Sequence, residues 1–329
     1  MATADQVKAL IRSHAEGDDT RFYAVAMQVA AQAARSGHGR FAQELRELVD
    51  RAKAVAAEPA RSPRGRAIPV VQPRGELGAF LSASYPRTQL SDMVLEAAIR
   101  VQLDRVVLEH RRRDALLSHG LSPVRKLLLL GPPGTGKTMS AGALASEISL
   151  PLFSIQLDGL ITKFMGETAA KLRLVFEAMH DTRGVYLFDE FDALGSDRAS
   201  RNDVGEIRRV LNSFLVMLEQ DESESIIVAA SNHPALLDRA LFRRFDTIIE
   251  YVLPSRAATE TLLRARLAFL ETTGLDWSAA ATEADGLSHA ELARASEQAA
   301  KNSILAETTH VDTAGLVAAV RERRSARRE

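Results

Sequence analysis

A chain of 329 residues exceeds one ordinary domain of about 150, so a large core and two or three structural units are expected. Its 42 Lys+Arg balance 43 Asp+Glu to a formal net charge of -1, which excludes the whole-molecule positive field of a general nucleic-acid coat. The absence of cysteine excludes a disulfide scaffold, a thiolate nucleophile and a sulfur-based zinc site; with no apolar run of membrane-span length and no basic-then-apolar start, a cytoplasmic protein is expected.

Residues 1–57 carry helical spacing. Thr3 and Gln6 fit a capping box, and Phe22, Val25, Ala26, Val29, Ala30 and Ala33, then Phe41, Leu45, Leu48 and Ala52, mark one face of successive helices. This predicts a small helical module, without catalytic chemistry, suited to recruiting a partner or, alternatively, to docking permanently on the rest of the assembly and stabilising it. In the interval 58–87 the pattern dissolves into Pro59, Pro63, Pro69 and Pro73 with Arg61, Arg64, Arg66 and Arg74, a composition that favours an extended linker.

Residues 88–254 read as an α/β domain. After a helix-rich approach, short apolar runs at 126–130, 152–157, 185–188, 226–230 and 248–253 alternate with helical patterns, which predicts a parallel sheet with crossover helices. Beyond Pro254 no strand pattern returns. Helices near 256–271, 278–285, 289–307 and 312–325 make 255–329 a small helical domain.

The run Gly131, Pro132, Pro133, Gly134, Thr135, Gly136, Lys137, Thr138 fits a phosphate-binding loop and lies between an apolar strand and a helix, where that loop must lie. Its glycines let backbone N–H groups close on a β-phosphate, Lys137 neutralises β and γ oxygens, and Thr138 offers a hydroxyl to Mg²⁺. The strand 185–188 then ends in Asp189 and Glu190. Asp189 is expected to hold Mg²⁺ through water and Glu190 to polarise the attacking water. Asp192 is expected to be a helix cap or surface charge.

These motifs, with Ala229-Ala230-Ser231-Asn232 and the segment from Leu237 to Asp246, make residues 88–310 resemble the classical clade of AAA ATPases. The resemblance implies a P-loop NTPase core with a five-stranded parallel sheet and a helical lid, ATP bound between them, and assembly into a ring, usually of six. It makes Asn232 similar to a sensor residue that faces the γ-phosphate, and Arg243 and Arg244 similar to arginine fingers that reach a neighbouring subunit's site. The usual spacer between the two arginines is absent, which leaves open which one leads. In Gly286–Leu292 no sensor arginine occurs, and Ser288 with Glu291 reads as a capping box.

Lys163, Phe164 and Met165 fall where the family carries a pore loop whose aromatic grips a translocating polypeptide; the competing reading places Ile161, Phe164 and Met165 in a core stripe. Arg198, Arg201 and Asn202 fall where a second, polar pore loop is expected. The leading function is a Mg-ATP-driven remodeller of proteins. A nucleic-acid motor, suggested by the basic linker and the Arg-rich segment 321–329, and a nucleotide-gated regulator are the alternatives. Residues 9–22 and 37–45 also resemble small bacterial ATPases encoded beside a subtilisin-like serine peptidase, in gene pairs linked to toxin-antitoxin or phage-defence behaviour. That second resemblance implies a peptidase partner, because this chain has no Ser/His/Asp constellation of its own.

Overall fold

The computed structural model describes residues 72, 73, 75–160, 167–194 and 204–326, with Met27, Val29, Ala30 and Gln43. The chain divides into two compact units, Met1–Pro69 and Val70–Glu329. In the first unit the four described residues are helical, and Val29 and Ala30 are buried. The expected capping box and the rest of that unit's apolar stripe lie outside the described residues.

In the second unit the strands are β1 (Leu81–Ser84), β2 (Lys126–Leu130), β3 (Leu152–Ile155), β4 (Val185–Phe188), β5 (Ile226–Ser231) and β6 (Thr247–Glu250). The helices are α1 (Ala97–Arg111), α2 (Arg113–Ser118), α3 (Lys137–Glu147), α4 (Leu157–Leu160), α5 (Glu167–Asp181), α6 (Val204–Gln220), α7 (Arg239–Phe242), α8 (Arg256–Leu267), α9 (Trp277–Glu283), α10 (His289–Leu305) and α11 (Thr313–Ser325). All six strands form one sheet in the order β1-β3-β4-β5-β2-β6. The five strands expected from the sequence pair in parallel.

β1 corrects the expected five-stranded count. It pairs antiparallel with β3, Leu81 opposite Ile155 and Ser84 opposite Leu152, and it lies within the interval 58–87 that the composition assigns to a linker. Four residues with one large apolar side chain give too weak an alternation to stand out from their proline-rich surroundings. The strand is held mainly by its backbone ladder, to which Ser82 and Ser84 add hydroxyl bonds to the Ser154 and Leu152 carbonyls at 3.4 and 3.5 Å.

The central strands are apolar throughout because both faces of the sheet are covered. Period-two alternation sends Leu128 and Leu130 of β2 into one core with Phe188, Phe176 and Phe214, packed beneath α5 and α6. Leu127 and Leu129 enter the other, with Leu103 and Val106 of α1 and Leu144 of α3. The last four helices build a third core around Leu263, Trp277, Leu292 and Leu316. Each begins on a side chain that accepts a backbone N–H: Ser255, Asp276, Ser288 and Asp312. The expected Ser288–Glu291 capping box is present. Among the described residues no helix is long and apolar enough to cross a membrane.

Candidate nucleotide site

Parallel strands bring their carboxyl ends to one edge of the sheet, where ligands of open α/β folds collect. The loop after β2, Asp189 and Glu190 after β4, and Asn232 after β5 therefore meet there. Since β5 lies between β4 and β2, Asn232 stands between the acidic pair and the glycine-rich loop. All three groups line one cavity of about 500 Å³.

Two of the loop's glycines are fixed by close approach. Gly131 has a φ of 141°, and a Cβ there would lie 2.2 Å from the Tyr251 carbonyl oxygen at the end of β6. Gly134 has a φ of 75°, and a Cβ there would meet the Ser288 hydroxyl at 2.7 Å. The Ala290 N–H donates to the Gly134 carbonyl at 3.0 Å, so α10 is tied directly to the loop.

Lys137 is buried at the first turn of α3 and donates from Nζ to the Gly131 and Pro132 carbonyls at 2.7 and 2.9 Å. Burial pushes its ammonium below the ordinary lysine pKa, and the carboxylates of Asp189 and Asp192 pull the other way. Thr138 Oγ1 donates to Asp189 Oδ2 at 2.6 Å, and Asp189 Oδ1 accepts the Glu190 N–H at 3.0 Å. Glu190 adopts a left-handed φ of 51°, a strained backbone that for a non-glycine residue costs about 1–3 kcal/mol. This conformation sits at the residue expected to act on water.

Asp192 does more than the expected cap or surface charge. Its Oδ1 accepts from Ser231 Oγ at 3.0 Å and from the Asn232 N–H at 3.1 Å, which fixes the end of β5 that carries Asn232. Sequence reasoning missed this contact, which spans about forty residues. It also missed the apolar wall of the cavity, formed by Met93, Val94 and Leu262, and the polar residues Arg266 and His289 beside it.

Neither Arg243 nor Arg244 lines the cavity of its own chain. Arg244 donates to the Ala240 carbonyl at 2.8 Å and pairs with Glu219 at 3.3 Å, which holds it against α6 and α7. Arg243 is exposed, and no side-chain partner is found for it among the described residues. Lys163, Phe164, Met165, Arg198, Arg201 and Asn202 lie outside the described residues. The segment carrying the first three is flanked by buried Leu160 and by Lys171, whose Nζ donates to the Gly159 carbonyl at 3.0 Å.

Residues 127–253 match the ATPase family associated with various cellular activities (AAA). Over 307 residues the chain is 33% identical to the uncharacterized AAA family ATPase y4kL of Sinorhizobium fredii, covering 93% of this chain and 90% of that protein. It is 32% identical to the 26S proteasome subunit RPT4 of Saccharomyces cerevisiae, over 62% of this chain and 48% of the relative. It is 36% identical to the ATP-dependent zinc metalloprotease FtsH 1 of Methylacidiphilum infernorum, over 59% of this chain and 32% of the relative. The chain thus spans half or less of these last two proteins. The crystal structure of the FIGL-1 AAA domain superposes with a TM-score of 0.61 at 24% identity, over 74% of this chain and 85% of that one, and shares the fold.

Proposed function

This chain belongs to the AAA family of ATPases and hydrolyses ATP, and from that premise we propose that it is a Mg²⁺-dependent, ring-forming motor that remodels or threads protein substrates. The observation that carries the catalytic part is the 2.6 Å contact between Thr138 and Asp189 at the mouth of the phosphate loop, with Glu190 next in the chain. That donor set is oxygen only, which suits a hard cation that takes one or two protein ligands and completes its shell with water and phosphate. Thr138 and Asp189 would hold Mg²⁺, and the ion supplies charge neutralisation on the phosphate oxygens when bound.

In this reading the backbone N–H groups of Gly134 to Thr138 and the start of α3 cradle the β-phosphate, and Lys137 exchanges its two loop carbonyls for β and γ oxygens. Glu190 takes the proton of the water that attacks the γ-phosphorus as the bond to the ADP oxygen breaks. Asn232, held by Asp192, orients the water and γ-phosphate. Arg243, unpaired among the described residues and outside its own cavity, reaches the neighbouring subunit's site, and Arg244 anchors the segment that presents it.

Two relatives carry names of proteolytic machines, a proteasome subunit and an ATP-dependent protease, which favours polypeptide over nucleic acid as the substrate. Phe164 is assigned to grip that polypeptide, with Lys163 and Met165 beside it. Residues 1–57 are assigned to recruitment, a subtilisin-like serine peptidase encoded beside this chain is the partner proposed first, and the assembly is placed in the cytoplasm. The test is stimulation of ATP turnover. An unfolded polypeptide should raise it in the parental chain and not in Phe164→Ala, whose basal turnover survives. Stimulation by single-stranded nucleic acid alone would favour a nucleic-acid motor. Indifference to both, with peptidase binding only in ATP, would favour a nucleotide-gated regulator.

A further inference from the structure

The cavity has a polar feature besides its phosphate loop and acidic pair. His289, the first residue of α10, lines it together with Val94 and Leu95. Both imidazole nitrogens are withdrawn from solvent and neither has a hydrogen-bond partner; among the described residues no other ring is left so. A buried polar group without a partner costs about 1–3 kcal/mol, so an arrangement with two calls for an explanation. The neighbours do not supply one. Ser288 is engaged with Glu291 at 2.7 and 2.8 Å, and Glu96 accepts the Ser255 N–H at 2.9 Å.

Burial holds the imidazole below its ordinary pKa, the nearby Glu96 charge and Val94 backbone opposing this without reversing it. The ring is therefore neutral near pH 7, with one N–H and one lone pair. The surrounding wall of Met93, Val94, Leu262 and Ala293 is apolar, as a flat heteroaromatic ring requires.

We propose that His289 is a specificity-determining residue that reads the base, its imidazole lone pair accepting a hydrogen bond from the 6-amino group of adenine after a small turn of the ring. The inference rests on the assignment of this cavity to ATP. A guanine or hypoxanthine base would present an oxygen acceptor to the same lone pair and would be disfavoured, because a site built to bond one group rejects the analogue that leaves it unpaired.

The experiment compares the full chain's affinity for ATP with that for purine riboside 5′-triphosphate, which lacks only the 6-amino group, by competition against a fluorescent nucleotide. The parental chain should bind ATP about tenfold more tightly, the equivalent of one charge-neutral hydrogen bond. His289→Ala should bind the two within twofold, ATP having lost the difference, and His289→Gln should restore part of the preference through its side-chain carbonyl. His289→Phe, which fills the same space without a lone pair, is read in the same way if the alanine variant does not fold. A parental chain blind to the 6-amino group, or a folded His289→Ala or His289→Phe that keeps the tenfold preference, overturns the inference. Equal ATP affinity in the parental chain and Lys137→Ala would instead sink the nucleotide-site assignment, and the inference with it.

Discussion

Glu190 combines a left-handed backbone with an exposed carboxylate at the edge of the nucleotide cavity, so its geometry is held by its neighbours and not by its own preference. Replacing it with Gln keeps the shape and removes the proposed base. Glu190→Gln should therefore bind ATP as the parental chain does while its single-turnover hydrolysis slows by about 10²- to 10⁴-fold; parental turnover in a quenched-flow trace would show the base misassigned. The two adjacent arginines make a sharper contrast. Arg243→Ala should lower the turnover number by about 10³-fold or more with an unchanged melting temperature, since no partner within the described chain is lost. Arg244→Ala should lower the melting temperature by a degree or two, because a partly exposed pair with Glu219 contributes only about 0–1 kcal/mol. Equal kinetic and thermal effects for the two variants would reject this division of roles. The glycine-rich loop and the acidic pair were legible in the sequence because their chemistry is local: each group lies within a few residues of the strand that delivers it. Asp192 and His289 were not, since one acts on Ser231 and Asn232 across the sheet edge and the other gains its meaning only from the wall it joins.

At the scale of elements, strong apolar runs announced β2 to β6 because both faces of those strands are buried, whereas β1 is an edge strand with little side-chain signal. The end of β6 links sheet and site. The Tyr251 carbonyl crowds Gly131, its N–H donates to the Leu130 carbonyl at 2.6 Å, and its hydroxyl donates to Ser140 Oγ of α3 at 2.7 Å. Burial pushes the Tyr251 phenol up to about 12, with the Ser140 contact opposing, against about 10 in an unfolded chain. The folded state favours the neutral phenol. Its stabilisation is thus fully present below pH 10 and is lost as the pH rises from 10 through 12, a change of about 3 kcal/mol at most. Tyr251→Phe should cost about 1 kcal/mol at neutral pH and should flatten this part of the alkaline decline in unfolding free energy. Superimposable slopes for the two chains between pH 10 and 12 would contradict the buried-phenol account.

For the whole molecule, the decisive feature is that one chain gathers the phosphate loop, Asp189, Glu190 and Asn232 in a single cavity and leaves Arg243 outside it. On the proposed role of Arg243, a site so divided needs a second copy arranged head to tail, and such a repeating contact closes into a ring where its rotation permits. The sequence carried this only through family resemblance, since no spacing along a chain states that a residue belongs to a neighbour's site. Turnover per subunit should accordingly rise with protein concentration and fall on dilution. The most direct measurement mixes two inactive chains, Lys137→Ala and Arg243→Ala, in equal amounts and follows phosphate release. Junctions in which an Arg243→Ala subunit offers its intact loop to the Arg243 of a Lys137→Ala subunit should form at about one in four and restore about a quarter of parental turnover. No recovery above the separate chains, with co-assembly verified by their comigration, would contradict a site completed between subunits.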